Sequence, residues 1–186
     1  MRVIGGTAKG RLLKAVPGDS TRPILDRVKT PLFDILRPQL EGIQMLDLFG
    51  GTGAVGIEAL SQGAQHCVFL DTNPRAVATI KENLTSCELL SRSEVRHTDA
   101  FIYLKNCSKQ FDLIYVAPPQ YKGLWIEAMR MIAERPHLLT PRGQIIVQID
   151  PKEYEPLQLE TLHENQQRKY GSTVLIFYTP RTPGSV

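Results

Sequence analysis

No stretch of this sequence approaches the ~18 consecutive apolar residues that a bilayer-spanning helix requires. Cysteine is scarce. Cys67, Cys87 and Cys107 form no CxxC pair, which argues against a disulfide framework or a cysteine-held metal and fits reduced thiols in a cytosol. No Pro-Cys step offers a cysteine nucleophile, and His66, His97, His137 and His163 are scattered at no metal-ligand spacing. The opening residues Met1-Arg2-Val3-Ile4-Gly5-Gly6 lack the charged-then-apolar order of a signal peptide. There is no internal repeat and no low-complexity tract. These absences set the expectation of a cytoplasmic chain with no metal and no membrane partner.

What is present is an ordinary globular composition over 186 residues, enough for one domain with a sizeable core. The net charge of +3 is modest, but it is unevenly placed. Residues 1–37 hold eight Lys and Arg against three acidic residues, whereas the remainder holds 14 against 16. A basic first fifth on a nearly neutral body suggests a polyanion approached from one side; a solvated face is the plainer alternative.

Residues 1–22 are short apolar pieces broken by Gly5-Gly6, Gly10 and Pro17-Gly18, which reads as a small hairpin or two. Thr30-Pro31 reads as a cap followed by a first-turn proline, so a helix is expected from about 31 to 36. From residue 43 the pattern alternates. Apolar runs at 43–49, 66–71, 111–117 and 144–149 suit buried parallel strands, and a weaker strand fits 93–97. Helical stretches fall between them at about 54–62, 75–86, 99–105 and 123–134, where Trp125, Met129 and Ile132 share a core-facing stripe. The alternation predicts an α/β fold with helices on both faces of a mostly parallel sheet. Gln158–Lys169 and Ser172–Tyr178 flank Tyr170-Gly171 too closely for a helix, so the chain should end in an antiparallel hairpin. The expected organisation is an N-terminal extension over 1–42, a core domain over 43–179 and a frayed tail over 180–186.

The chemistry is concentrated at the predicted strand ends. Leu46-Asp47-Leu48-Phe49-Gly50-Gly51-Thr52-Gly53 is a strand running into a Gly-rich turn, with Ala54 opening a helix. Such a turn lets the backbone bend sharply and lie against a ligand, beside the donors of a helix N-terminus. Gly51-x-Gly53-x-x-Gly56, with Asp71 twenty residues after Gly51, also matches a dinucleotide fingerprint, so a nicotinamide enzyme is one reading. Asp47 before the glycines, Asp99 after the third strand and Pro118-Pro119 after the fourth favour S-adenosylmethionine instead. Its ammonium needs an acceptor near Asp47, its ribose needs Asp71 and its adenine needs Asp99. Phe49, Gly50, Gly51, Gly53, Thr72 and Ala100 complete the expected cofactor set.

The chain resembles the RsmD family of bacterial ribosomal RNA methyltransferases. The likeness runs through Arg2-Val3-Ile4-Gly5-Gly6, Lys9-Gly10-Arg11, Thr21-Arg22-Pro23, Asp26-Arg27-Val28-Lys29, Leu32-Phe33-Asp34-Ile35-Leu36, the Gly-rich turn with Gly56-Ile57-Glu58-Ala59-Leu60, Phe111-Asp112-Leu113-Ile114, and Tyr170-Gly171-Ser172-Thr173. The resemblance implies a class I S-adenosylmethionine-dependent methyltransferase: a Rossmann-like, seven-stranded sheet with a C-terminal antiparallel hairpin. It implies transfer to a guanine N2 amine of small-subunit ribosomal RNA, in an assembled or partly assembled subunit, by a monomer. It also implies that the N-terminal segment contacts RNA, through Arg2, Lys9, Arg11, Arg22, Arg27 and Lys29. Lys29 stands where the family has an arginine, and Thr30-Pro31 where it has a helix-forming pair, so the helix is expected to start later here.

The family's acid-Pro-Pro-aromatic motif reads Ala117-Pro118-Pro119-Gln120 here, followed by Tyr121. In the family the acid and the first proline's carbonyl hold the target amine. Losing a charged acceptor costs roughly 1.5–3 kcal/mol, on the order of 10- to 150-fold in rate. The Pro118 carbonyl is untouched by the change, Gln120 can supply an amide oxygen and Tyr121 a stacking face. An RNA-binding assembly factor that keeps the cofactor site without turnover is the alternative of a different class.

Overall fold

The computed structural model describes residues 1–18 and 23–183. Seven strands form one sheet: β1 (Gln44–Asp47), β2 (His66–Asp71), β3 (Ser93–His97), β4 (Phe111–Val116), β5 (Leu139–Ile149), β6 (Leu162–Tyr170) and β7 (Thr173–Pro180). Their order across the sheet is β3-β2-β1-β4-β5-β7-β6. The first five pair in parallel, and β7 runs antiparallel to both β5 and β6. Among the described residues five α-helices accompany it: α1 (Asp26–Leu36), α2 (Ala54–Ser61), α3 (Pro74–Ser86), α4 (Ala100–Asn106) and α5 (Leu124–Ala133). This is the class I methyltransferase architecture. The chain winds outward from β1 in one direction and from β4 in the other, so the β1–β4 boundary is the switch point where such sheets open a crevice.

Parallel strands buried on both faces need two apolar layers, and two are present. Alternate residues of the sheet pack with α1, α2 and α3 on one side, including Leu32, Phe33, Ile57, Ile80 and Tyr115. The other side packs with α4 and α5 around Leu104, Trp125, Met129 and Ile132. The N-terminal residues lie on the α1 face, tied by one antiparallel bridge between Arg2 and Leu12. Thr7 N donates to the Ser61 carbonyl at 2.8 Å, which fastens this segment to the end of α2.

Three expectations need correction. Helix α1 begins at Asp26, not at residue 31, and carries Pro31 inside it. A proline there forfeits one helical hydrogen bond and costs about 3 kcal/mol. The helix tolerates it because Val28, Lys29, Leu32, Phe33 and Leu36 form one buried face. Strand β5 begins at Leu139 rather than 144, and its pairing with β4 shifts register between Phe111 and Leu113, so Pro141 and Gly143 are carried in an irregular stretch. The tail does not loosen at Pro180, which ends β7. Arg181 N donates to the Thr161 carbonyl at 2.8 Å and its Nε to the Leu159 carbonyl at 3.1 Å. Residues 184–186 of the expected tail lie outside the described residues.

Candidate functional site

A cavity of about 710 Å³ opens at the carboxyl ends of β1, β2, β4 and β5, on the switch point. That size suits a nucleoside-class ligand with room for a second group. Phe49, Gly50, Gly51, Asp71, Thr72, Asp99 and Ala100 line one part, and Ala117, Pro118, Pro119 and Gln120 another. The two motifs that stand about seventy residues apart in sequence therefore share one space.

The turn after β1 is built by main-chain bonds. Gly50 N donates to the Leu70 carbonyl at 2.7 Å and Gly53 N to the Gly50 carbonyl at 2.8 Å. Gly53 caps α2 with φ near +82°, a conformation that favours glycine. It does not line the cavity; its role is to make the turn. A methyl group on Gly56 would sit 2.3 Å from Phe69 Cε1, so that glycine lets α2 approach β2.

Asp71 holds the turn as well as facing the cavity. Its Oδ2 accepts from Gly51 N at 2.9 Å, and its Oδ1 from Asn73 N at 2.9 Å. Each carboxylate oxygen keeps a second lone pair for a ligand hydroxyl. Asp99 is the N-cap of α4: its Oδ1 accepts from Phe101 N at 2.8 Å and Ile102 N at 3.0 Å. Phe101 meets Phe49 edge to face at 6.4 Å, which makes an apolar wall beside these acids.

Asp47 differs from both. It is 2 % exposed, and its Oδ1 has no hydrogen-bond partner among the described residues. Burial, reinforced by the charge of Asp71, pushes its carboxyl up to about 8. An orphaned buried acceptor facing a cavity is costly unless a ligand completes it. A donor such as an ammonium would do so.

The other predicted residues divide. Tyr121 does not line the cavity. It is 63 % exposed, with φ near +62°. Its hydroxyl donates to Asp150 Oδ2 at 2.6 Å and its N–H to Glu153 Oε1 at 2.7 Å, so it is turned towards the turn after β5. Lys29 is the clearest correction: expected beside RNA, it is wholly buried. Its Nζ lies 3.0 Å from Glu58 Oε1 and donates to the Arg2 carbonyl at 2.6 Å. Arg2 and Arg11 are exposed but engaged, with the Gly10 carbonyl at 3.1 Å and Glu88 at 4.0 Å. Lys9 and Arg27 are exposed. Arg22 lies outside the described residues.

Sequence reasoning missed Tyr115 and Gln148, which line the cavity. Both sit inside predicted strands, where no local signal separates a core residue from one that faces a ligand. It also missed Ile24 and Leu25 before α1, and Ser172 and Thr173 at the β6–β7 turn, which line the cavity as well.

The model of one protein family, described as Conserved hypothetical protein 95, matches residues 1–179. YlbH of Bacillus subtilis is 38 % identical over 184 residues, covering 97 % of this chain and 100 % of that one. Ribosomal RNA small subunit methyltransferase D of Haemophilus influenzae is 32 % identical, covering 81 % of this chain and 79 % of that one. Among solved structures, yhhF of Escherichia coli superposes with a TM-score of 0.87 at 26 % identity, covering 97 % of each chain. SMU.776, solved with SAH, has a TM-score of 0.63 at 16 % identity over 79 % of this chain and 49 % of that one, a likeness of fold.

Proposed function

The chain belongs to the RsmD family, whose model bears the description Conserved hypothetical protein 95, and from that premise we propose that it methylates ribosomal RNA with S-adenosylmethionine. The observation that carries the reading is the orphaned Asp47 carboxylate in the same cavity as Pro118. The cofactor fits the residues present. Asp47 would take its ammonium, Asp71 its ribose hydroxyls and Asp99 its adenine amine, against the wall of Phe49 and Phe101. When bound it supplies a methyl group on a sulfonium, which an attacking nitrogen displaces to leave a thioether.

The chain's own task is to hold that nitrogen. The acceptor is the exocyclic N2 amine of a guanine in small-subunit RNA, presented by an assembled or partly assembled subunit to a monomeric enzyme in the cytoplasm. The Pro118 carbonyl accepts a hydrogen bond from the amine and aims its lone pair; the amine sheds one proton to solvent as the new bond forms. Holding the reactants at attack distance supplies much of the acceleration in such transfers. Ala117 contributes a methyl group to the wall and no side-chain acceptor. Pro119 stiffens the step, and the Gln120 amide approaches the base. Tyr121 supports the loop through Asp150 rather than stacking on the base. Residues 1–42 form the RNA-facing extension. Lys9 and Arg27 supply exposed cations there, Arg2 and Arg11 contribute alongside their internal bonds, and Arg22 adds a further charge.

The test incubates pure protein and methyl-labelled S-adenosylmethionine with unmethylated small subunits, then maps the label by nuclease digestion and mass spectrometry. Label on a single guanine amine is the expected result. Cofactor binding with no transfer to the subunit would instead support the assembly-factor reading, which the bare methyl of Ala117 favours.

A further inference from the structure

The wall of the cavity beneath Ala117 contains a built polar pair. Tyr115 stands two residues before Ala117, so both point to the same face of the sheet, and both pack on the α1 side. Gln148 follows Val147, the strand partner of Val116, and so comes alongside Ala117 on the neighbouring strand. The Tyr115 hydroxyl donates to Gln148 Oε1, and both residues line the cavity together with Ala117 and Pro118.

The chemistry of the pair is directional. Tyr115 is 3 % exposed. Burial, with the Asp47 charge second, pushes its phenol well above the ordinary range, so it remains a donor. A donor at Oε1 orients the amide, and the opposite end of the Gln148 amide is an NH₂ group with two hydrogens. No hydrogen bond is recorded for that nitrogen among the described residues, and Gln148 is only half-buried. The cavity wall thus presents a donor next to a main-chain acceptor at Pro118.

We propose that Gln148, oriented by Tyr115, reads the target base: its Nε2 donates to N3, the ring acceptor flanking the guanine amine, while the Pro118 carbonyl accepts from the amine itself. Two opposed contacts on one base edge fix its plane and its rotation, which one acceptor alone does not. This inference rests on the methyltransferase reading above and assigns the base contact to a residue outside the Pro-Pro motif. Gln148 touches substrate; Tyr115 is a positioning residue that acts through it.

The experiment compares wild type with Gln148→Met, Gln148→Glu and Tyr115→Phe in steady-state transfer to unmethylated small subunits. Binding of S-adenosylhomocysteine to each is measured by calorimetry. Met keeps the volume of Gln without polar atoms, and Glu keeps the acceptor for Tyr115 but removes the donor. Both should lower kcat/KM at least tenfold, with S-adenosylhomocysteine affinity within twofold of wild type. Tyr115→Phe keeps the donor but not its orientation, and should lower kcat about threefold while KM for the subunit holds. Gln148→Glu at wild-type kcat/KM would overturn the proposal, because no donor would be needed. Loss of S-adenosylhomocysteine binding in the Gln148 variants would also overturn it, by moving the amide to the cofactor. A wild-type enzyme that labels no subunit would overturn the functional reading itself, and the base contact with it.

Discussion

Lys29 on α1 and Glu58 on α2 meet at 3.0 Å with both side chains fully shielded from water. The pair gathers the N-terminal segment around it. Glu58 accepts from Ile4 N at 2.8 Å and Gly5 N at 3.1 Å, while Lys29 donates to the Arg2 carbonyl at 2.6 Å. A cation that the RNA resemblance placed on the surface therefore fastens the extension to the domain that carries the cavity.

Removing one partner leaves the other charged and buried. Lys29→Ala should destabilise the protein by about 3–5 kcal/mol. Lys29→Met with Glu58→Gln should recover part of that loss, since no isolated charge remains. Urea unfolding of the single and double variants checks both, and limited proteolysis should show the first residues cut earlier in Lys29→Ala.

Asp47 should make ligand binding depend on pH. Its carboxyl is raised from 3.8 to about 8 in the folded protein. The stability tied to this shift is fully present below the lower value and is lost as pH rises towards the upper one, because the folded state holds the proton more tightly. A cationic ligand reverses the preference and ionises the group. S-adenosylhomocysteine affinity should therefore rise from pH 6 to 8, with release of a proton near pH 7. Calorimetry in buffers of different ionisation enthalpy reads that proton. Asp47→Asn should bind more weakly and lose the pH dependence over this range.

Asp71 holds the turn and lines the cavity, so Asp71→Ala should cost more than a surface change. It removes the acceptors for Gly51 N and Asn73 N. S-adenosylhomocysteine affinity should fall at least tenfold, corresponding to roughly 1.4 kcal/mol. Unchanged affinity in a folded variant would show that the carboxylate does not face the cofactor.

Pro31 lies inside α1 and is only half-buried. Pro31→Ala restores an amide able to bond to the Arg27 carbonyl. It should stabilise the protein by about 1–3 kcal/mol, seen as a higher midpoint in thermal unfolding with the unfolding slope in urea unchanged.

Gly56 closes the fingerprint-like spacing, yet its requirement is packing. A Cβ there meets Phe69 at 2.3 Å and Cys67 Sγ at 2.8 Å. Gly56→Ala should cost about 1–3 kcal/mol through overpacking of α2 on β2. The same urea measurement decides it.

Much of the sheet was readable from local pattern. The run at 66–71 coincides with β2, because a buried parallel strand is short and apolar and is closed by turn residues; the polar edge strand β3 at 93–97 was legible only from its place in the alternation. The helical stretch expected at about 75–86 coincides with α3, which the Asn73 side chain caps by accepting from Arg75 N. The Gly-rich turn, Asp71, Asp99 and the Pro-Pro step were legible for the same reason: a strand end and its following residues lie together in sequence. Helix α1 was misread because Thr30-Pro31 looks like a start, and only the buried face running back to Val28 shows that it is not.

The sequence by itself determined the order of elements, the antiparallel close and the identity of the groups at the strand ends, since each rests on residues within a few positions of one another. Only the tertiary structure decided the fate of individual polar side chains. Lys29 lies inward because Glu58 waits for it 29 residues later, Tyr121 turns away because Asp150 accepts its hydroxyl, and Gln148 enters the site because Tyr115 donates to it from the next strand. A charge or an amide takes its role from the partner that compensates its burial, and that partner is a neighbour in space, not in sequence.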